Sequence, residues 1–320
     1  MTEMEETGMC HLVTEREAAF WLGDRPADSH KGTYGYVTLL GGSVRYSGAV
    51  KLANLSCSGV QTAADLLTLT NAAMRAGAGV VRLAAPEPLT QAVLPYILES
   101  TFLPMPSTEG GQLRFDADKL DEALFKQRAA VFGMGVGMGE ETAKILRYIL
   151  RNKKLIFIID ADGLNELAAH EDLKELLKTT ACQVILTPHV MEFSRLSGAS
   201  VEEILQNPVQ LAEEFAADYG VTVLLKGHVT TVTDGVRACQ VDRGCSGMAT
   251  AGSGDVLSGV LCGMAGYISD PVQAASTAAF VAGMAGEMAE ADKNPVSMTA
   301  GDTAAYVEKA ITRLWNTYRR

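Results

Sequence analysis

Short, nearly continuous apolar runs alternate with helix-forming stretches along most of this 320-residue chain. The runs are Tyr36–Leu40, Val80–Ala84, Ala129–Phe132, Leu155–Ile159, Val184–Leu186 and Val221–Leu225. A strand with one wet face alternates apolar and polar residues; these do not, so both of their faces must be covered. Helical stretches near 49–76, 117–126, 140–152, 164–178 and 201–219 supply the covers. A strand–helix–strand repeat at this spacing builds a parallel sheet with right-handed crossovers. From 229 the pattern changes. Val229–Thr233 and Val236–Val241 flank Asp234-Gly235, a strong hairpin turn, and only helices follow, near 254–268, 271–290 and 299–316. The expected architecture is an α/β, three-layer α/β/α sandwich with a mostly parallel central sheet and a small antiparallel hairpin. Residues 1–30 read as an N-terminal arm with one helix near 14–22, and 31–320 as a single catalytic domain.

Composition narrows the function classes. A net charge of −11 argues against a general nucleic-acid or anionic-membrane surface, so an anionic substrate would need locally placed donors. The uncharged runs 256–269 and 271–286 are separated by Asp270 and fall short of the ~20 residues that span a bilayer. The acidic N-terminus lacks the apolar core of a signal peptide. Cys10, Cys57, Cys182, Cys239, Cys245 and Cys262 form no C-x-x-C pair and fit neither a zinc site nor a small disulfide framework. These features describe a cytoplasmic protein with no nucleic-acid or membrane partner.

Glycine and polar residues gather where the predicted strands end, the edge at which open α/β sheets bind ligands. Gly41-Gly42, Gly133–Gly137, Asp160 with Asp162, His189 and Lys226 therefore share one crevice. Gly247–Asp255 (GMATAGSGD) joins them and runs straight into an apolar helix. The first amides of that helix have no intrahelical partner, and Gly252, Ser253 and Gly254 read as an anion hole for a phosphate. Asp255 in the first turn has two readings: an ordinary cap, or a base that deprotonates a hydroxyl during phosphoryl transfer. Lys226-Gly227-His228-Val229-Thr230 follows a buried strand and is placed to hold nucleotide phosphates, although no P-loop sequence is present. Asp160 and Asp162 could hold magnesium through water, or simply cap the helix that follows.

Taken in order, seven motifs resemble those of the ADP- or ATP-dependent NAD(P)H-hydrate dehydratases, within the ribokinase-like superfamily. They are Lys31–Gly35, Gly41–Ser43 with Tyr46–Ala49, Arg75–Gly79, Asp160–Asn165, Thr187–Leu196, Lys226-Gly227 and Gly247–Gly259. The resemblance spans residues 14–318 and implies a lyase of metabolite repair. Such an enzyme restores NADH or NADPH from its C6 hydrate, using ADP or ATP with magnesium and releasing phosphate. It implies Asp255 as the catalytic base and Ala49, Gly135, Gly137, His189 and Asp255 as contacts of the hydrated cofactor. Lys226, Gly227, His228, Val229, Thr230 and Gly254 would hold the nucleotide. A homo-oligomer, by analogy a tetramer, is expected, and the absence of a fused epimerase domain leans toward ADP.

The chain departs from the family pattern at four places. Gly133-Met134-Gly135 replaces G-P-G, Val190-Met191-Glu192 replaces Pro-Gly-Glu, Cys245-Ser246 replaces Asn-Pro, and 58–71 reads as an insertion. Two other functions use the same residues: a ribokinase-like kinase of a hydroxymethyl vitamin precursor, and a non-catalytic nucleotide-binding regulator.

Overall fold

The computed structural model describes residues 10–44 and 63–318, with the side chains of 63–66 excepted. Its centre is a ten-stranded sheet: β1 (His11–Leu12), β2 (Tyr36–Leu40), β3 (Val80–Pro86), β4 (Thr101–Met105), β5 (Ala129–Phe132), β6 (Ile156–Ile159), β7 (Gln183–Leu186), β8 (Thr222–Leu225), β9 (Thr230–Thr233) and β10 (Ala238–Val241). The order is β1-β10-β9-β8-β7-β6-β5-β2-β3-β4. All neighbours are parallel except β8/β9 and β9/β10. The antiparallel hairpin and the mostly parallel sheet between two helical layers are as expected.

Period-two alternation explains the continuous apolar runs. In β6, Ile156 and Ile158 enter one core, while Phe157 and Ile159 enter another on the opposite face. The first core is closed by the helices Glu15–Trp21, Ala63–Arg75, Ser253–Ala265, Pro271–Lys293 and Ala300–Tyr318. The second is closed by Glu140–Asn152, Ala161–Ala169, Val190–Ser197 and Pro208–Tyr219, among others.

Two glycines set the tightest helix contact. A β-carbon on Gly259 would fall 2.4 Å from the Leu69 carbonyl oxygen, and one on Gly263 2.5 Å from that of Ala73. The Ser253–Ala265 helix can therefore lie backbone to backbone on Ala63–Arg75.

The chain runs β2, β3, β4 toward one edge and then returns to the other side of β2 with β5. Strand order reverses there, and the carboxyl ends of β2 and β5 open a crevice. Their following loops touch, the Gly42 amide donating to the Met134 carbonyl at 2.8 Å. Some boundaries differ from the sequence reading. The stretch 164–178 is two helices, Ala161–Ala169 and Glu171–Leu177, and 201–219 breaks at Asn207-Pro208. Within 49–76 the described helix is Ala63–Arg75.

Candidate functional site

The loops after β5, β6, β7 and β8 and the N-terminus of the Ser253–Ala265 helix meet at the carboxyl edge of the sheet. Asp160 ends β6 and caps the next helix by accepting from the Ala161 amide at 2.9 Å. Its carboxylate is 2% exposed and is shared between two further donors. Lys226 Nζ, at the end of β8, lies 3.0 Å from Oδ1, and Ser258 Oγ donates to Oδ2 at 2.6 Å. Burial alone would push the Asp160 pKa up. The positive charge of Lys226, with hydrogen bonds from Ser258, Lys226 and Thr187, overcomes it and holds the group below the ordinary aspartate value.

Lys226 is the hub of the site. Burial opposes its charge, but Asp160 first and Glu192 second, with Asp255 adding to them, raise its pKa above the usual lysine value. Its Nζ is 3.9 Å from Glu192 Oε2 and 3.7 Å from where a β-carbon on Gly254 would stand. The ammonium therefore faces the first turn of the Ser253–Ala265 helix. That turn begins at Gly252, whose φ of +87° suits glycine. Asp255, in the same turn, is 6% exposed.

His189 ends the β7 loop as the N-cap of Val190–Ser197. Its Nδ1 accepts from the amides of Met191 (3.1 Å) and Glu192 (3.3 Å), and the His189 amide in turn donates to Glu192 Oε2 at 2.9 Å. Two donors on Nδ1 assign the ring proton to Nε2, which lies 3.5 Å from Glu192 Oε1. Burial, and then the charge of Lys226, depress the His189 pKa, while burial raises that of Glu192 against the pull of Lys226.

The Gly133–Gly139 turn is latched to the helix after β6. The Gly137 amide donates to Asp162 Oδ2 and the Gly139 amide to Glu166 Oε2, each at 2.8 Å. Gly133 adopts φ +126°, and a β-carbon there would fall 1.9 Å from the Asp160 carbonyl oxygen. Asp160 and Asp162 thus serve different partners and do not face each other. Among the described residues no group of three or more His, Cys, Asp or Glu side chains is placed to hold a metal ion.

Beside Lys226 opens a cleft of about 420 Å³. Lys226, Gly227, His228, Thr230, Ser253 and Gly254, all candidates from the sequence, line it, and Val229 does not. Met248, Leu257, Ala279 and Ala282 add an apolar side. Ala49 lies outside the described residues, as do Tyr46–Gly48 and part of 58–71.

Sequence reasoning missed Ser258, Glu192 and Arg243. Ser258 carried a signal: it stands three residues after Asp255 and so on the same helix face. Arg243 lines the cleft and carried none; it pairs with Glu287 at 2.9 Å and with Glu15 at 2.5 Å. Glu15 also accepts from Arg313 (3.3 Å) and from the Tyr318 hydroxyl (3.2 Å).

The arrangement sets a buried ammonium and a helix N-terminus beside buried carboxylates, and known proteins are similar to this chain. A family model described as NAD(P)H-hydrate dehydratase matches residues 61–309. The bifunctional NAD(P)H-hydrate repair enzyme Nnr of Moorella thermoacetica is 32% identical over 95% of this chain and 54% of its own length. The chain thus spans about half the length of the curated relatives it matches first. The ADP-dependent (S)-NAD(P)H-hydrate dehydratase of Nitrosopumilus maritimus is 30% identical over 88% of this chain and 90% of its own. A crystal structure of the ADP/ATP-dependent NAD(P)H-hydrate dehydratase of Bacillus subtilis, co-crystallised with ATP/Mg2+, matches with a TM-score of 0.77 and 25% identity. That match covers 98% of this chain and 100% of the other. Sequence and fold agree: the chain belongs to the NAD(P)H-hydrate dehydratase family.

Proposed function

We propose that this chain dehydrates hydrated NADH or NADPH at the expense of a nucleotide phosphoryl group, with Asp255 as the base. The observation that carries the reading is that Lys226, Ser253 and Gly254 line one cleft while Asp255, in the same helix turn, acts on the Lys226 charge. Asp255 takes the proton of the C6 hydroxyl, whose oxygen attacks the terminal phosphorus while the nucleotide leaves. Electron push from the ring nitrogen then expels phosphate from C6, and loss of a proton from C5 restores the dihydronicotinamide.

Lys226 and the helix amides stabilise charge on the transferring group. Gly227, His228 and Thr230 continue the nucleotide site along the cleft, with Val229 beside them off its lining, and Gly135, Gly137, His189 and Ala49 hold the hydrated cofactor. The relatives' names support ADP as donor, with ATP as the alternative. Magnesium fits as an ion carried in on nucleotide phosphates and water, neutralising their charge, because Asp160 is committed to Lys226 and Ser258 and Asp162 to Gly137. We place the protein in the cytoplasm as a homo-oligomer, a tetramer by analogy with the family.

Purified protein mixed with hydrated NADH, magnesium and either nucleotide should restore absorbance at 340 nm and release free phosphate. A stable phosphate ester instead would mark a small-molecule kinase. Asp255→Asn should lower turnover by ~10²–10⁴-fold with nucleotide binding retained. Undiminished turnover in that variant would refute Asp255 as base.

A further inference from the structure

We infer that Ser258 is a positioning residue for Lys226, acting through Asp160, so that the helix carrying Asp255 also sets the place of the nucleotide-holding lysine. The inference rests on the nucleotide site proposed above and goes beyond it to a group that touches neither nucleotide nor hydrate. Ser258 is 0% exposed, and its Oγ donates to Asp160 Oδ2 at 2.6 Å. The other oxygen of the same carboxylate holds Lys226 Nζ at 3.0 Å, on the side facing Gly254.

The geometry has a consequence for register. Ser258 and Asp255 are three residues apart on one helix, so a shift of that helix moves both together. Asp160 sits on the far side, at the end of β6, and its third bond, to the Ala161 amide, anchors it to the sheet. Without the serine hydroxyl, Oδ2 loses its 2.6 Å donor, Thr187 and the Ala161 amide are what remain besides Lys226, and the carboxylate can turn about its side-chain torsions. Lys226 would then be free to leave the helix N-terminus for Glu192, already 3.9 Å away. Charge-assisted hydrogen bonds of this length are the strong ones, and a buried carboxylate oxygen left without its donor is costly.

The groups that face the lysine are Asp160 from the β6 end, His189 from the loop after β7, Glu192 from the helix that follows it, and Asp255 from the Ser253–Ala265 helix. Of these, Asp160 makes the close contact, and Ser258 is the donor that fixes its orientation.

The test is a double-mutant cycle on nucleotide binding, read by calorimetric titration of ADP and of ATP into the full chain. Wild-type protein that binds neither nucleotide would overturn the nucleotide site itself. Given wild-type binding, Ser258→Ala should weaken it about tenfold, and Lys226→Met should weaken it more. The double variant should bind no worse than Lys226→Met alone, because the serine acts only through the lysine. Multiplying losses, or an Ser258→Ala affinity equal to wild type, would overturn the proposal.

A second arm separates positioning from packing. Asp160→Asn keeps shape but removes the charge that raises the lysine pKa. Its nucleotide binding should fall away at lower pH on the alkaline side than that of wild type. An alkaline limb that stays in place would overturn the Asp160 link.

Discussion

His189 commits its Nδ1 lone pair to two backbone amides, so a proton on that nitrogen ends the helix cap. Burial, with the charge of Lys226 behind it, holds its pKa below the ordinary value of 6.5. The folded state prefers the neutral ring. The stability tied to this preference is fully present above the unfolded pKa and is lost as pH falls through the depressed folded value. Replacing His189 with Asn, which caps without titrating, should therefore flatten the acid limb of stability measured by urea unfolding between about pH 7 and 5. An acid limb unchanged from wild type would remove His189 from the account. The same scale shows what the residues alone disclosed. Lys226 was legible because it follows an apolar run at the sheet edge where ligands bind, and Asp255 because it stands between a glycine-rich turn and an apolar helix. Asp160 and Asp162 do not act as a pair, because residues two apart at a helix start point in different directions. Asp160 turns to Lys226 and Asp162 to the Gly137 amide.

Helix packing beneath the site depends on two missing side chains. In a free helix, Gly→Ala gains up to about 1 kcal/mol of propensity. At Gly259 and Gly263 that gain meets carbonyl oxygens 2.4 and 2.5 Å from the new carbon, and backbone cannot step aside as a flexible side chain would. Overpacking of this kind costs about 1–3 kcal/mol, so we expect Gly259→Ala and Gly263→Ala each to lower stability in chemical denaturation. A rise in midpoint for either would contradict the close packing of Ser253–Ala265 on Ala63–Arg75. Elements were readable from sequence where burial was two-sided, and were missed where it was not. β4 (Thr101–Met105) contains Pro104, lies at the sheet edge and is half exposed; β1 has only two residues. Edge strands tolerate proline and lack the continuous apolar signature of a covered strand. The short helix Val190–Ser197 went unread because its cap is a histidine, a residue not usually counted among capping types.

The molecule as a whole carries a charge of −11, while the proposed substrates are anions held by local donors. Carboxylates outnumber cations even at the cleft, where Asp160, Glu192, Glu287 and Glu15 surround Lys226 and Arg243. The long-range field therefore opposes approach. Raising ionic strength from about 0.01 to 0.1 M shortens the screening length from about 30 to 10 Å. Nucleotide association followed by stopped-flow should accelerate over that range, opposite in sign to capture by a basic face. A rate that falls with salt would place the governing field in the cleft cations instead. The Glu15 carboxylate, met by Arg313 and Tyr318 from the last helix and by Arg243 from the cleft wall, has a wider meaning. It ties the first described helix and the last one to the cleft wall through a single carboxylate, so the cleft and the terminal helices share one clasp.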